Sequence, residues 1–154
     1  MVTFHNEDCS FLPRGRRNIA SWVKATVEGE GYRAGDIAYI FCSSEYHLGI
    51  NRTYLGHDYN TDVITFDYSD LDNGTVSGDI FIDPFTVADN ASRFGTLPEE
   101  EIMRVIIHGV LHLCGHGDKT PEEAAAMRAL ENGSLCNYRT SFGPYPPFRL
   151  PAAR

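Results

Sequence analysis

The chain has 154 residues, 42% of them hydrophobic and 22% charged, with a formal net charge of −8. That length supports one domain with a real core and no need of staples. No apolar run approaches the roughly 18 residues of a membrane span, and residues 1–8 lack the basic-then-apolar order of a secretory signal, so the cytoplasm is the expected setting. Cys9, Cys42, Cys114 and Cys136 form no C-x-x-C pair and are expected to stay reduced there. The acidic balance argues against broad phosphate binding, although Arg14, Arg16 and Arg17 form a basic patch that could hold a phosphate locally or simply be a solvated helix start.

In chain order, residues 2–6 read as a short strand. Ile19, Trp22, Val23 and Val27 recur near a 3.6-residue period and predict a helix over about residues 14–28, closed by Gly29 and Gly31. Residues 37–42 read as a buried strand. Ser43 or Ser44 can cap a helix from about residue 45 to 55, with Leu48 and Tyr54 facing inward. Two further strands fall at about residues 61–68 and 78–83, and the Asn73-Gly74 turn between them favours an antiparallel pairing.

The last third reads as helical. Thr96-Leu97-Pro98-Glu99 has the form of a capping box, as does Thr120-Pro121-Glu122-Glu123, whose helix is expected to stop near residue 132, before Gly133. Residues 138–154 hold four prolines and read as an irregular tail on a domain of residues 1–137. The fold class is α+β, one small sheet with helices packed on it.

The chemistry concentrates in His108-Gly109-Val110-Leu111-His112-Leu113-Cys114-Gly115-His116-Gly117-Asp118. An i, i+4 spacing sets two imidazoles on one helix face, roughly 6 Å apart along the axis, close enough to share a metal ion. Gly115 can end the helix and return the chain toward the same point. Asp118 and His116 are both within reach as a third ligand. On an unbroken helix His116 would lie about 12 Å from His108, which favours Asp118 and leaves His116 to support the site or contact substrate. Cys114 is turned off the ligand face and reads as a small buried hydrophobe.

A peptidase of the H-E-x-x-H type carries a Glu after its first His as general base, and Gly109 stands there instead. Three ligands leave an open position, the mark of a catalytic rather than a structural zinc. Asp62, Asp79, His57 and Asp58 are uncommitted candidates for base or supporting group. Two histidines and a carboxylate could equally hold nickel or iron.

Several segments together resemble one family, the YbeY endoribonucleases, which are bacterial ribosome-maturation factors. Residues 108–118 are similar to its H-G-x-L-H-L-x-G-Y-D-H signature, Asn60-Thr61-Asp62-Val63-Ile64-Thr65-Phe66 to P-T-D-V-L-S-F, and Gly78-Asp79-Ile80 to G-D-I. Asn90-Ala91 matches its N-A and Asn51-Arg52-Thr53-Tyr54 its N-x-x-Y, so the likeness spans about residues 36–130. It implies a small mixed four-stranded sheet flanked by helices, with a metal-binding helix similar to that of the zincins. It further implies a zinc-dependent hydrolase cutting single-stranded RNA, active in 16S rRNA 3′-end maturation and ribosome quality control. Its partners would be rRNA and the 30S subunit, with ribosomal proteins or GTPase assembly factors as further candidates, and one zinc per chain would be held by His108, His112 and Asp118.

Two positions depart from the pattern. Asp118 stands where the family commonly has His. Leu55 stands where it usually has an Arg that contacts substrate phosphate, and Arg52, one turn earlier, is the expected replacement. His116 and the Arg14, Arg16 and Arg17 patch are the expected substrate contacts. Two other classes compete with the ribonuclease: a noncatalytic 30S assembly factor with a structural metal, and a metallopeptidase, which Gly109 disfavours.

Overall fold

A computed structural model describes residues 1–56 and 61–151. His57 and Asp58 therefore lie outside the described residues. Four strands, β1 (Val2–Glu7), β2 (Arg33–Cys42), β3 (Val63–Asp67) and β4 (Thr75–Ile82), form one mixed sheet in the order β1-β2-β4-β3. β1 and β4 both run parallel to β2, and β3 returns antiparallel to β4 at the sheet edge. Among the described residues there are also five α-helices, α1 (Arg16–Gly29), α2 (Ser44–Leu55), α3 (Pro84–Phe94), α4 (Pro98–Leu113) and α5 (Pro121–Phe142), and one short 3-10 turn at Leu71–Asn73.

Period-2 patterning explains which face of the sheet is covered. Ile37, Tyr39 and Phe41 of β2 stand in register with Gly78, Ile80 and Ile82 of β4, and all the large side chains of that set are fully buried. α4 lies directly on this face. A Cβ on Gly109 would come within 2.8 Å of Ile80 Cγ2, and one on Gly78 within 2.8 Å of Leu113. Glycine at both positions lets helix and strand backbones approach. Tyr39 adds a 2.8 Å hydrogen bond from its hydroxyl to the Ile106 carbonyl.

Several expectations shift. Tyr54 is 65% exposed rather than inward, and the buried face of α2 is carried by His47 and Asn51. The cap of α4 is Leu97, not Thr96, because Pro98 occupies the first helical position and the residue before it must be the cap. At α5 the same rule gives Thr120, whose reciprocal bonds with Glu123 are both 3.1 Å. α3 was not anticipated, although Asp83-Pro84 carries its signal: the Asp83 carboxylate accepts from Phe85 N at 2.9 Å and Thr86 N at 3.1 Å.

α5 also continues ten residues beyond the expected stop at Asn132, through Gly133 to Phe142. Packing outweighs the roughly 1 kcal/mol that an interior Gly costs. Leu135 and Tyr138 are buried, Trp22 Nε1 donates to the Ser134 carbonyl at 2.7 Å, and the Trp22 and Tyr138 rings meet edge-on at 5.2 Å. Gly143 ends the helix at φ +88°. The segment after it is irregular but not loose, since Tyr145, Phe148 and Leu150 pack on the core.

Candidate metal centre

α4 presents His108 and His112 at its C-terminal end. The helix stops in a Schellman turn: His116 N donates to Leu111 O at 3.1 Å and Gly115 N to His112 O at 2.9 Å, with Gly115 at φ +101°. Glycine is required there because a side chain is strained at that φ. The turn folds residues 116–118 back over the two imidazoles. Nε2 of His108 and Nε2 of His112 lie 2.9 Å apart, and each is 3.3 Å from Oδ2 of Asp118. Among the described residues, this is the group of three or more potential ligands that converges on one point.

The outer nitrogens define what the inner ones are. His112 Nδ1 is 2.8 Å from the His116 carbonyl, which can only accept, so Nδ1 carries the proton. His108 Nδ1 is 2.6 Å from Oε2 of Glu131, again an acceptor, and Oε1 of Glu131 takes a bond from Arg104 at 3.0 Å. In the neutral tautomers both Nε2 atoms are lone pairs, facing each other and a carboxylate with no donor among the three. That arrangement repels itself unless a proton or a metal cation sits at the centre, and a set of three convergent acceptors is one that a metal fits.

Electrostatics agree with the hydrogen bonds. Burial works to lower the His108 pKa, but the bond and charge of Glu131, with Asp118 and Asp62 nearby, outweigh it and hold it above the ordinary value. Burial likewise works to raise that of Glu131, yet the His108 and Arg104 bonds keep it below the usual carboxylate range. The Cys114 thiol is pushed up to about 12, by burial first and then by Glu30 and Asp67, which leaves it an inert core group.

The ligands open into a cleft of about 530 Å³ lined by Asn51 and Leu55 of α2, residues 61–65 at the sheet edge, and Lys119. Asp62 thus faces the site, whereas Asp79 sits within β4, opposite Ala38 and Phe66. The His116 ring does not join the three converging groups: it pairs with Glu30 at the end of α1, and the His116 carbonyl holds His112. Leu55 lines the cleft, while Arg52 is exposed and is not among the described lining residues.

The arginine patch is placed elsewhere. Arg16 and Arg17 open α1, whose 14 residues span about 21 Å, and the opposite end of that helix is the one that meets His116. Arg16 is engaged with the Pro13 carbonyl at 2.9 Å. Glu131, Arg104 and Glu30 were missed at the sequence level. The i, i+27 and i, i+86 separations leave no local pattern to read.

A mixed-sheet α+β fold with a helical His pair and a loop carboxylate at the head of one cleft defines a class of small proteins built around a candidate three-ligand metal centre. A family model described as Endoribonuclease YbeY matches residues 2–139. Relatives bearing that name include those of Bacteroides thetaiotaomicron, 47% identical over 87% of this chain and 96% of its own length, and Parabacteroides distasonis, 46% identical over 87% and 93%. The relative from Porphyromonas gingivalis is 44% identical over 92% of this chain and 93% of its own. The solution structure of TM1509 from Thermotoga maritima superposes with a TM-score of 0.60 at 25% identity, covering 93% of this chain and 95% of that one. The chain belongs to the YbeY endoribonuclease family.

Proposed function

We propose that this chain is a zinc-dependent endoribonuclease acting on single-stranded RNA, with His108, His112 and Asp118 as the metal ligands. One observation carries the reading: three acceptor atoms converge with both imidazole tautomers set from outside, and they face an open cleft. A bound cation would supply Lewis acidity toward a phosphoryl oxygen and an acidified water. Glu131 and the His116 carbonyl keep both Nε2 lone pairs aimed inward. Asp62 and Lys119 both line the cleft; in this reading Asp62 would accept a proton and Lys119 would meet a substrate phosphate. Arg52, exposed beside Asn51, is a second candidate for the same contact, and the Arg14, Arg16 and Arg17 patch would serve more distant stretches of RNA.

The substrate we infer is rRNA of the 30S subunit, in 16S 3′-end maturation and ribosome quality control in the cytoplasm, with ribosomal proteins or GTPase assembly factors as partners. Leu55 in the cleft favours a second reading, a noncatalytic 30S assembly factor with a structural metal. Gly109 faces Ile80 across the helix–sheet contact and offers no room for a glutamate base, which argues against a peptidase. Purified protein is to be tested for cleavage of single-stranded rRNA with its metal counted by mass spectrometry, beside Asp118→Ala. Cleavage with about one zinc per chain, both lost in the variant, is the expected result. Stoichiometric zinc without cleavage would select the assembly factor, and protein without metal would remove the site.

A further inference from the structure

We propose that Tyr54 is a base-stacking subsite at the rim of the metal cleft; this rests on the endoribonuclease reading and names how that site grips its strand. Tyr54 is the penultimate residue of α2 and is 65% exposed. Its attitude is nevertheless set. The ring meets Phe66 of β3 edge-to-face, with centroids 5.7 Å apart at 85°, and Phe66 meets Phe81 with the same separation and angle. The next residue, Leu55, lines the cleft with the three ligands, as does Asn51 three positions back, and β3 residues 63–65 form its edge just before Phe66. A fixed and open aromatic therefore adjoins two residues of the cleft wall; its ring rests on Phe66, which alternation along β3 turns to the sheet face away from α4, so it stands at the rim and not among the lining side chains.

Charge says what such a ring is for. In a chain of net charge −8, the cleft is lined among the described residues by one cation, Lys119, against Asp62 and Asp118. Phosphate attraction alone is a poor grip there. Every unstacked base offers a π-face, and stacking on an aromatic ring binds single strands without regard to sequence. Among the described neighbours Arg52 and Thr53 are exposed and polar, and Leu55, 44% exposed, adds apolar surface on the cleft side, so the apolar surface here is two side chains, the scale of a base rather than of a protein interface.

The test uses a six-nucleotide single-stranded 2′-O-methyl RNA with 2-aminopurine at successive positions, titrated into wild-type, Tyr54→Phe, Tyr54→Leu and Tyr54→Ala protein. Wild type and Tyr54→Phe should quench 2-aminopurine at one position. Tyr54→Ala and Tyr54→Leu should lose that quenching and bind about 5- to 150-fold more weakly, with KM for cleavable RNA raised by a similar factor, kcat unchanged and the protein still folded, its thermal midpoint lowered only by the lost Phe66 contact. Equal affinity and quenching in Tyr54→Ala would overturn the subsite while cleavage by all four proteins kept the endoribonuclease reading intact. Wild-type protein that neither binds nor cleaves single-stranded RNA would overturn both. A Tyr54→Ala defect confined to association with a ribosomal protein would assign the ring to protein and overturn its role with RNA.

Discussion

Glu131 on α5 accepts a 2.6 Å hydrogen bond from Nδ1 of His108 on α4, and its other oxygen holds Arg104 at 3.0 Å. One buried carboxylate thereby sets the tautomer of a candidate ligand and ties α4 to α5. His112 reaches the same tautomer by a different route, a backbone carbonyl fixed by the Schellman turn. The two imidazoles are oriented by independent parts of the fold.

Glu131→Gln should weaken zinc binding by about 10- to 100-fold, the usual effect of losing such a support, while leaving the protein folded. Competition titration against a chromophoric chelator reads this directly. Glu131→Ala should in addition destabilise by on the order of 3 kcal/mol, because Arg104 is left with its charge poorly solvated. Zinc affinity in Glu131→Gln equal to wild type would mean that His108 needs no external orientation.

Gly109→Ala should destabilise by about 1–3 kcal/mol in urea melts, since its Cβ would stand 2.8 Å from Ile80 Cγ2. The methyl in question belongs to a branch that Ile80→Val keeps, so that change should relieve little; Ile80→Ala in the same chain should recover part of the loss. Strict additivity of the Gly109→Ala and Ile80→Ala effects would show that the two residues do not collide.

Leu55→Arg would place a guanidinium on the wall of the cleft that Lys119 also lines. Single-stranded RNA should then bind more tightly at low salt, and the slope of log affinity against log salt should steepen by about 0.7, one phosphate contact. An unchanged slope would mean that position 55 does not reach the phosphate track.

His47 is 1% exposed, with Nε2 at 3.2 Å from the Phe81 carbonyl. Burial holds its pKa below the ordinary value, outweighing the Phe81 bond and the carboxylates of Asp83 and Asp62, which act the other way. Above about pH 6.5 the group is neutral folded and unfolded, and contributes no pH dependence. As pH falls through that value the unfolded chain binds a proton that the folded chain resists, so stability is lost with acid. His47→Gln should flatten the decline of the urea midpoint between about pH 6.5 and 5. Parallel declines in both proteins would assign the acid sensitivity to other groups.

What could be read in the sequence alone was local. His108 and His112 were legible because helical geometry makes an i, i+4 pair converge whatever surrounds it, and Asp118 because Gly115 limits how far a short loop can travel. The strands with alternating or continuous apolar runs and the Asn73-Gly74 link were legible for the same reason, and the Pro98 and Thr120-Pro121 helix starts obey one rule that needs no tertiary contact. Tertiary structure alone decided the rest. Gly133 stops nothing because Trp22, more than a hundred residues away, packs against Ser134 and Tyr138. Arg14, Arg16 and Arg17 looked available to the site until α1 carried them to its far end. Glu131 and Glu30 became supports of the metal loop only when helices distant in sequence were laid side by side, since burial and charge pairing depend on neighbours that spacing along the chain does not encode.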